Sequence, residues 1–247
     1  MAQTPAFLDG GRPPVPDLVV PRGVTPFFLP NRPVRGRVVR LGPLADSLLT
    51  RHENHPAVTR LAGQALALVA ALSTALKFRG SFSLQAKGDG PVSMLLADCT
   101  ETGALRGYAR ADADKLAAVL AEEPSPAADR LLGTGYLALT VDQGPEEHRH
   151  QGIVTLEGGN LAEMVLHYFR TSEQLRCMVH LACEHGEGGW RAAALVLEKI
   201  AGAGGIDPEL DDAAQAMLRG KSVPPLPAAM PQDRLTVTVT IRYALTR

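Results

Sequence analysis

Cys177, His180, Cys183 and His185 sit close together in the chain, and two thiols with two imidazoles are the ligand types that hold soft or borderline metals such as zinc. Met178 to Cys183 reads as a strand, however. Alternation then puts Cys177, Cys183 and His185 on one face and His180 on the other. Six residues at about 3.3 Å each separate the two cysteines by roughly 20 Å. A disulfide needs Cα atoms within about 7 Å, and a shared metal is equally out of reach. These are read as strand residues, and no metal ligand is assigned. His148 and His150 flank Arg149 beside Glu146 and Glu147 in what reads as an exposed charged hairpin turn, and His52 and His55 stand at a helix junction.

Catalysis finds no better footing. Asp89, Asp98 and Glu157 are the carboxylates that could pair for acid–base work, but turn and strand-end positions explain each. Gly88-Asp89-Gly90-Pro91 is glycine-rich enough to suggest a phosphate cradle. No Lys-Ser/Thr follows, and the next segment alternates like a strand. It is read as a turn in which Gly88 and Gly90 take positive φ. There is no Gly-x-Ser-x-Gly elbow and no histidine pair at helical i, i+4 spacing. No catalytic, cofactor-binding or metal residue is assigned, and the chain is read as a non-enzyme.

The elements that would position any site follow from periodicity. Residues 1–33 are rich in Pro and Gly and read as a flexible arm. Val34 to Leu41 alternates as a first strand. Pro43 opens a helix to about His52 and Pro56 a second one, whose apolar residues from Val58 to Leu76 cover more than one face and imply burial against a sheet. Ser81 to Lys87 and Val92 to Ala97 are strands about the glycine turn, and Ala104 to Ala111 is another. Asp112 to Glu122 is a short helix. Gly133-Thr134-Gly135 leads into the strand YLALTV, which turns at Asp142 to Glu147 and returns through Arg149 to Glu157. Asn160 caps a helix from Leu161 to about Arg170, and Met178 to Cys183 and Ala192 to Ile200 are further strands. Strands and helices mix without a strict βα repeat. The fold class is α+β, a mixed sheet core packed with helices.

A chain of 247 residues can bury a sizeable core. With 25 Lys and Arg against 26 Asp and Glu, it offers no broad basic footprint for nucleic acid. Arg32, Arg35, Arg37 and Arg40 are read as a solvated strand face. The N-terminus lacks a basic stretch followed by an apolar one. The longest apolar run, Ala65 to Leu72, is far short of the roughly 20 residues of a membrane span. Three scattered cysteines, Cys99, Cys177 and Cys183, suit a reducing compartment. A cytoplasmic protein without membrane or nucleic-acid partners is expected.

The blocks VRGRVV (34–39), ALKFRGSFSLQAKGDGPV (75–92), LRGYAR (105–110), LLGTGYLALT (131–140) and QGIVTLEGGNLAEMVLHYFRTSEQL (151–175) resemble, in order and spacing, the redox-regulated holdase chaperones called the thirty-three-kilodalton heat-shock proteins. The resemblance runs from Val34 to Ile200. It implies an α+β core that tends to dimerise, and a cytoplasmic, ATP-independent stress-response chaperone that binds unfolding proteins. It also implies a C-terminal zinc domain, in which Cys-x-Cys and Cys-x-x-Cys hold the metal until oxidation releases it and exposes the client surface.

After Ile200 this sequence contains no cysteine, so a four-thiolate zinc site has no ligands here and no cofactor is expected. Three parts result: the arm 1–33, the chaperone core 34–200, and a linker-like helix with a divergent tail at 201–247. In the last part Ile206 to Leu218 reads as an amphipathic helix and a candidate client surface, and Leu235 to Tyr243 as a strand. The functional expectation is an ATP-independent holdase with unfolded clients and a homodimeric state. The alternative is a non-enzymatic structural or regulatory binding module without the redox switch.

Overall fold

The segment Pro56–Ser73, PAVTRLAGQALALVAALS, has almost no polar face to offer water. It forms helix α2, with Pro56 in its first turn and the His55 Nδ1 accepting the Ala57 N–H at 3.2 Å. Every residue of α2 except Pro56, Arg60 and Gln64 is buried. Among the described residues it is the one helix with the length and hydropathy of a membrane span. Protein, not lipid, surrounds it.

A computed structural model describes residues 23–29, 34–74, 80–142, 150–173 and 175–199. Two antiparallel sheets enclose α2. The smaller contains β1 (Val24–Phe28), β2 (Val34–Leu41), β8 (Cys177–Gly186) and β9 (Gly189–Lys199), in the order β1-β2-β9-β8. The larger contains β3 (Ser81–Gly88), β4 (Val92–Thr100), β5 (Leu105–Ala111), β6 (Gly135–Asp142) and β7 (His150–Thr155), in the order β5-β4-β3-β6-β7. Helices α1 (Pro43–Leu49), α3 (Ala113–Glu122), α4 (Ala128–Leu132) and α5 (Leu161–Thr171) complete the α+β fold. Phe82, Leu84, Leu95, Ala97, Leu137 and Leu139 face α2 from one sheet. Val39, Leu41, Val179, Ala192, Ala194 and Val196 face it from the other.

Several expectations match the architecture residue by residue. Val34–Leu41 is β2, Asn160 caps α5 by accepting the Glu163 N–H at 3.0 Å, and the short helix expected from Asp112 is α3, with Asp112 as its cap. Others need correction. Residues 24–28, assigned to the arm, form β1, because the exposed edge of β2 supplies a register (Val24 opposite Val39, Phe28 opposite Arg35) that tolerates Pro26 on an outer strand. The two C-terminal strands are longer than expected and join as a hairpin, with Gly186 opposite Gly189. Helix α4 was not anticipated. The Asp142 to Glu147 turn beyond Asp142, the 206–218 helix and the 235–243 strand lie outside the described residues.

The glycine turn is right in place and wrong in reason. Among the described residues the positive-φ glycines are Gly80, Gly103, Gly133, Gly158 and Gly189, so neither Gly88 nor Gly90 is one of them. What excludes a side chain there is α4. A Cβ on Gly88 would collide with the Leu132 carbonyl oxygen, and one on Gly90 would stand 2.6 Å from that of Leu131. Gly90→Val should therefore destabilise the fold by about 2 kcal/mol through overpacking against backbone that cannot move aside. A thermal melt followed by circular dichroism checks this, and an unchanged midpoint would contradict the packing.

Candidate functional site

The residues with chemical potential are dispersed, each with a structural partner. Cys177 and Cys183 lie on one face of β8, opposite Glu198 and Ala192 of β9, and Cys99 is buried in the larger sheet. Burial pushes the Cys177 thiol up to about 12, helped by the Glu198 charge and opposed by Arg170. Burial likewise pushes Cys183 up to about 12, with Glu184 adding and Arg60 opposing. Cys99 is raised by the same cause, against a hydrogen bond from Ser73. His185 packs edge-on against Trp190, and His52 against Tyr108. His180 is exposed on the other face of β8. His150 begins β7, whereas Glu146, Glu147, His148 and Arg149 lie outside the described residues. Among the described residues no three His, Cys, Asp or Glu side chains are placed to hold a metal ion.

The three carboxylates are equally committed. Asp98 is buried and gripped by Arg106, whose Nε reaches Oδ1 at 2.6 Å and whose Nη2 reaches Oδ2 at 2.6 Å. Asp89 Oδ1 accepts the Thr134 N–H at 2.7 Å, and Glu157 accepts from Thr155 at 2.8 Å. The turn amides that a phosphate would need are spent as well. Asp89 N–H donates to Thr134 O and Gly90 N–H to Leu132 O, both at 3.0 Å.

What the fold does assemble is on the smaller sheet. Arg35 and Arg37 were expected on a solvated face with Arg40. Instead, period two turns Arg35 and Arg37 to the α2 side and leaves only Arg40 exposed on the other. Arg37 is buried. Both guanidiniums converge on Glu198: Arg35 Nη2 donates to Oε2 at 3.0 Å, and Arg37 Nη1 pairs with Oε1. Arg35 Nε also lies 2.8 Å from Oε1, without the alignment of a hydrogen bond. Burial alone would raise the Glu198 carboxyl, but the hydrogen bonds and charges of Arg35 and Arg37 outweigh it and hold it below its ordinary value.

The opposite, outward face of the same sheet carries an apolar patch beside the exposed Arg40 and His180. Val34 and Leu197 are buried there beneath half-buried Phe27, Leu29, Met178 and Leu195. All six come from strands of this sheet or the residue after β1, so among the described residues no helix contributes to the cluster. Gly36 gives the Phe27 ring its seat. A Cβ there would strike Phe27 and come within 2.7 Å of Leu197 Cδ2. This second apolar face was missed from sequence, although the run AAALVL in β9 signals it: a strand with one solvated face alternates, and this one does not. The amphipathic segment 206–218, named as a client surface, lies outside the described residues.

Comparison with known proteins places this geometry in context. The profile of the family described as "Hsp33 protein" matches residues 23–238. A 33 kDa chaperonin of Caulobacter vibrioides is 44% identical over 183 residues, which cover 72% of this chain and 61% of that protein. One from Ectopseudomonas mendocina is 36% identical over 174 residues, covering 70% of this chain and 55% of the relative. The chain thus matches about three fifths of the length of these curated relatives. Among solved structures, a 33 kDa chaperonin (heat shock protein 33 homolog) from Thermotoga maritima superposes with a TM-score of 0.63 at 21% identity, over 79% of this chain and 64% of that one. It supports the fold.

Glu198→Gln should destabilise the protein at neutral pH by about 2 kcal/mol, because two guanidiniums lose a charged acceptor. The sign with pH follows from the lowered carboxyl. Its contribution is present above the unfolded value near 4.5 and lost as pH falls through the folded one. Melts from pH 7 to 3 should show wild type and variant converging in acid; a constant difference would contradict the pairing. The raised thiols carry a second expectation. Cys177 and Cys183, moved from 9.0 to about 12, hold about a thousandfold less thiolate near neutrality. Alkylation at pH 8 should therefore be slow in the folded protein and rapid after denaturation; fast native labelling would refute it.

Proposed function

We propose, because the chain belongs to the Hsp33 protein family, that it acts as an ATP-independent holdase, binding unfolding proteins through the outward apolar face of the β1-β2-β9-β8 sheet. The observation that carries this reading is that Phe27, Leu29, Val34, Met178, Leu195 and Leu197 form an apolar cluster to which, among the described residues, only strand-side residues contribute. Covering half-buried carbon stabilises a complex by about 25 cal/mol for each Å² removed from water, without directional bonds, so it favours many clients over one. Independence from ATP is part of what the family resemblance implies, and the glycine turn at Gly88-Asp89-Gly90-Pro91 offers no free amides for a phosphate. A homodimer and a cytoplasmic setting belong to the same proposal.

The proposal extends to regulation. The family's switch oxidises zinc-held thiolates, whereas Cys99, Cys177 and Cys183 are held apart and their thiolates are disfavoured by burial. Activity of this 247-residue chain is proposed to be independent of peroxide.

Light scattering from a heat-unfolding client tests both halves. The chain at a few-fold molar excess should suppress aggregation without ATP, equally before and after peroxide, and metal analysis should find no stoichiometric zinc. Leu195→Asp should weaken suppression several-fold while the protein still melts cooperatively, whereas Ile153→Asp, on the other sheet, should not. No suppression by folded protein would favour the binding-module alternative. Activation by peroxide that a triple Cys→Ser variant abolishes would overturn the regulatory half.

A further inference from the structure

The edge strands of the two sheets are β1, β8, β5 and β7, and they are not alike. In an antiparallel pair every second residue turns its N–H and C=O away from the neighbour. An edge strand offers those groups to any extended chain unless something covers or spoils them. On β1 the Leu29 N–H donates to Val34 O at 3.0 Å, which turns Pro26, a residue without an N–H, to the free side. On β8 the Lys199 N–H to Arg176 O bond turns the backbone of Val179 and Cys183 outward, and both residues are buried. The edge of β5 buries Ala109 between Arg106 and Arg110. On β7 the Leu156 N–H donates to Gly135 O at 3.0 Å, which turns Gln151, Ile153 and Thr155 to the free side, and all three are exposed. Ile153 is 56% exposed. Among the described residues no turn or loop takes up those backbone groups. The strand, HQGIVT, has no proline, lysine or bulge to discourage pairing.

We propose that a second copy of this chain pairs with the free edge of β7, antiparallel about a two-fold axis at Ile153, so that two five-stranded sheets join into one. The pairing rests on the homodimeric state already proposed and names the strand that forms it. Self-complementarity, which an isologous interface requires, selects a second copy over a foreign strand. With Ile153 opposite Ile153 of the second copy, Gln151 falls opposite Thr155 and His150 opposite Leu156. Apolar then meets apolar, amide meets hydroxyl, and no charge faces a like charge. Gln151, Ile153 and Thr155 are the residues this register joins, each pair exchanging both backbone bonds. A slip of one residue would set them against Gly152 and Val154, whose own backbone groups already serve β6. An edge of six residues is a small interface, so the dimer dissociates on dilution.

Sedimentation velocity on the 247-residue chain, from low to high micromolar concentration, should show a monomer passing to a dimer. Ile153→Asp sets two carboxylates face to face and should raise the dissociation constant at least about tenfold, while the protein still melts cooperatively and suppresses aggregation as before. Cysteine crosslinking reads the register. Ile153→Cys should give a disulfide-linked dimer under mild oxidation, above the wild-type background, because residues of a hydrogen-bonded pair stand about 5.5 Å apart. Thr155→Cys alone should not, since its counterpart lies about 13 Å along the strand, whereas Thr155→Cys mixed with Gln151→Cys should. A wild type that stays monomeric throughout would overturn this pairing and the homodimer together, and leave the holdase reading standing if aggregation is still suppressed. A dimer untouched by Ile153→Asp, with no crosslink from Ile153→Cys, would overturn the pairing alone. A monomer whose suppression is lost in Ile153→Asp would give the edge to client strands and overturn the proposal.

Discussion

The burial of α2 on every side is the constraint from which the rest of the structure follows. A helix with an apolar stripe can rest on one sheet and show its polar side to water. One whose surface is interrupted only by Arg60 and Gln64 cannot. Two sheets must close over it, and each then contributes one apolar face to a shared core. Arg60 leaves toward Glu184 at the margin, 3.5 Å away, an exposed pair that adds little stability.

Each sheet also has a second face that α2 does not use, and the two differ in chemistry. The large sheet turns Ser83, Gln85, Lys87, Asp98, Arg106, Thr140 and Gln151 outward, interspersed with Leu96, Tyr108 and Ile153. It is tied together by the Arg106–Asp98 pair and the Gln151–Thr140 hydrogen bond. The small sheet turns out Val34, Leu195 and Leu197, and lays Phe27 over Gly36. On its inner side Glu198 is wedged between Arg35 and Arg37, while Arg40, His180 and Arg191 share the outer face with that carbon. A contiguous apolar patch bordered by such charges is the physical basis for reading the outer face as a binding surface.

Much of this was legible in sequence. Alternation bounded β2 correctly, Pro43 and Pro56 marked two helix starts, and Asn160 behaved as the cap its type suggests. The illegible parts all depend on distant residues. VTPFF becomes β1 only because β2 offers a free edge. Gly88 and Gly90 are constrained by Leu131 and Leu132 of α4, more than forty positions away, whose approach no local pattern announces. Period two separates Arg37 from Arg40 but does not say which face is inside when both carry apolar residues, as in β9. The site was missed for that reason: in an ordinary half-exposed strand the apolar face is the core, and here each face of the strand is apolar.

The central claim, that unfolded chains settle on the outer face of the small sheet, is tested most directly by site-specific photo-crosslinking. A photoreactive side chain replaces either Met178 on that face or Tyr108 on the outer face of the large sheet, and the protein is irradiated with a heat-unfolding client. Crosslinked client is predicted from position 178 and not from position 108. Crosslinking from 108 with none from 178 would contradict the account.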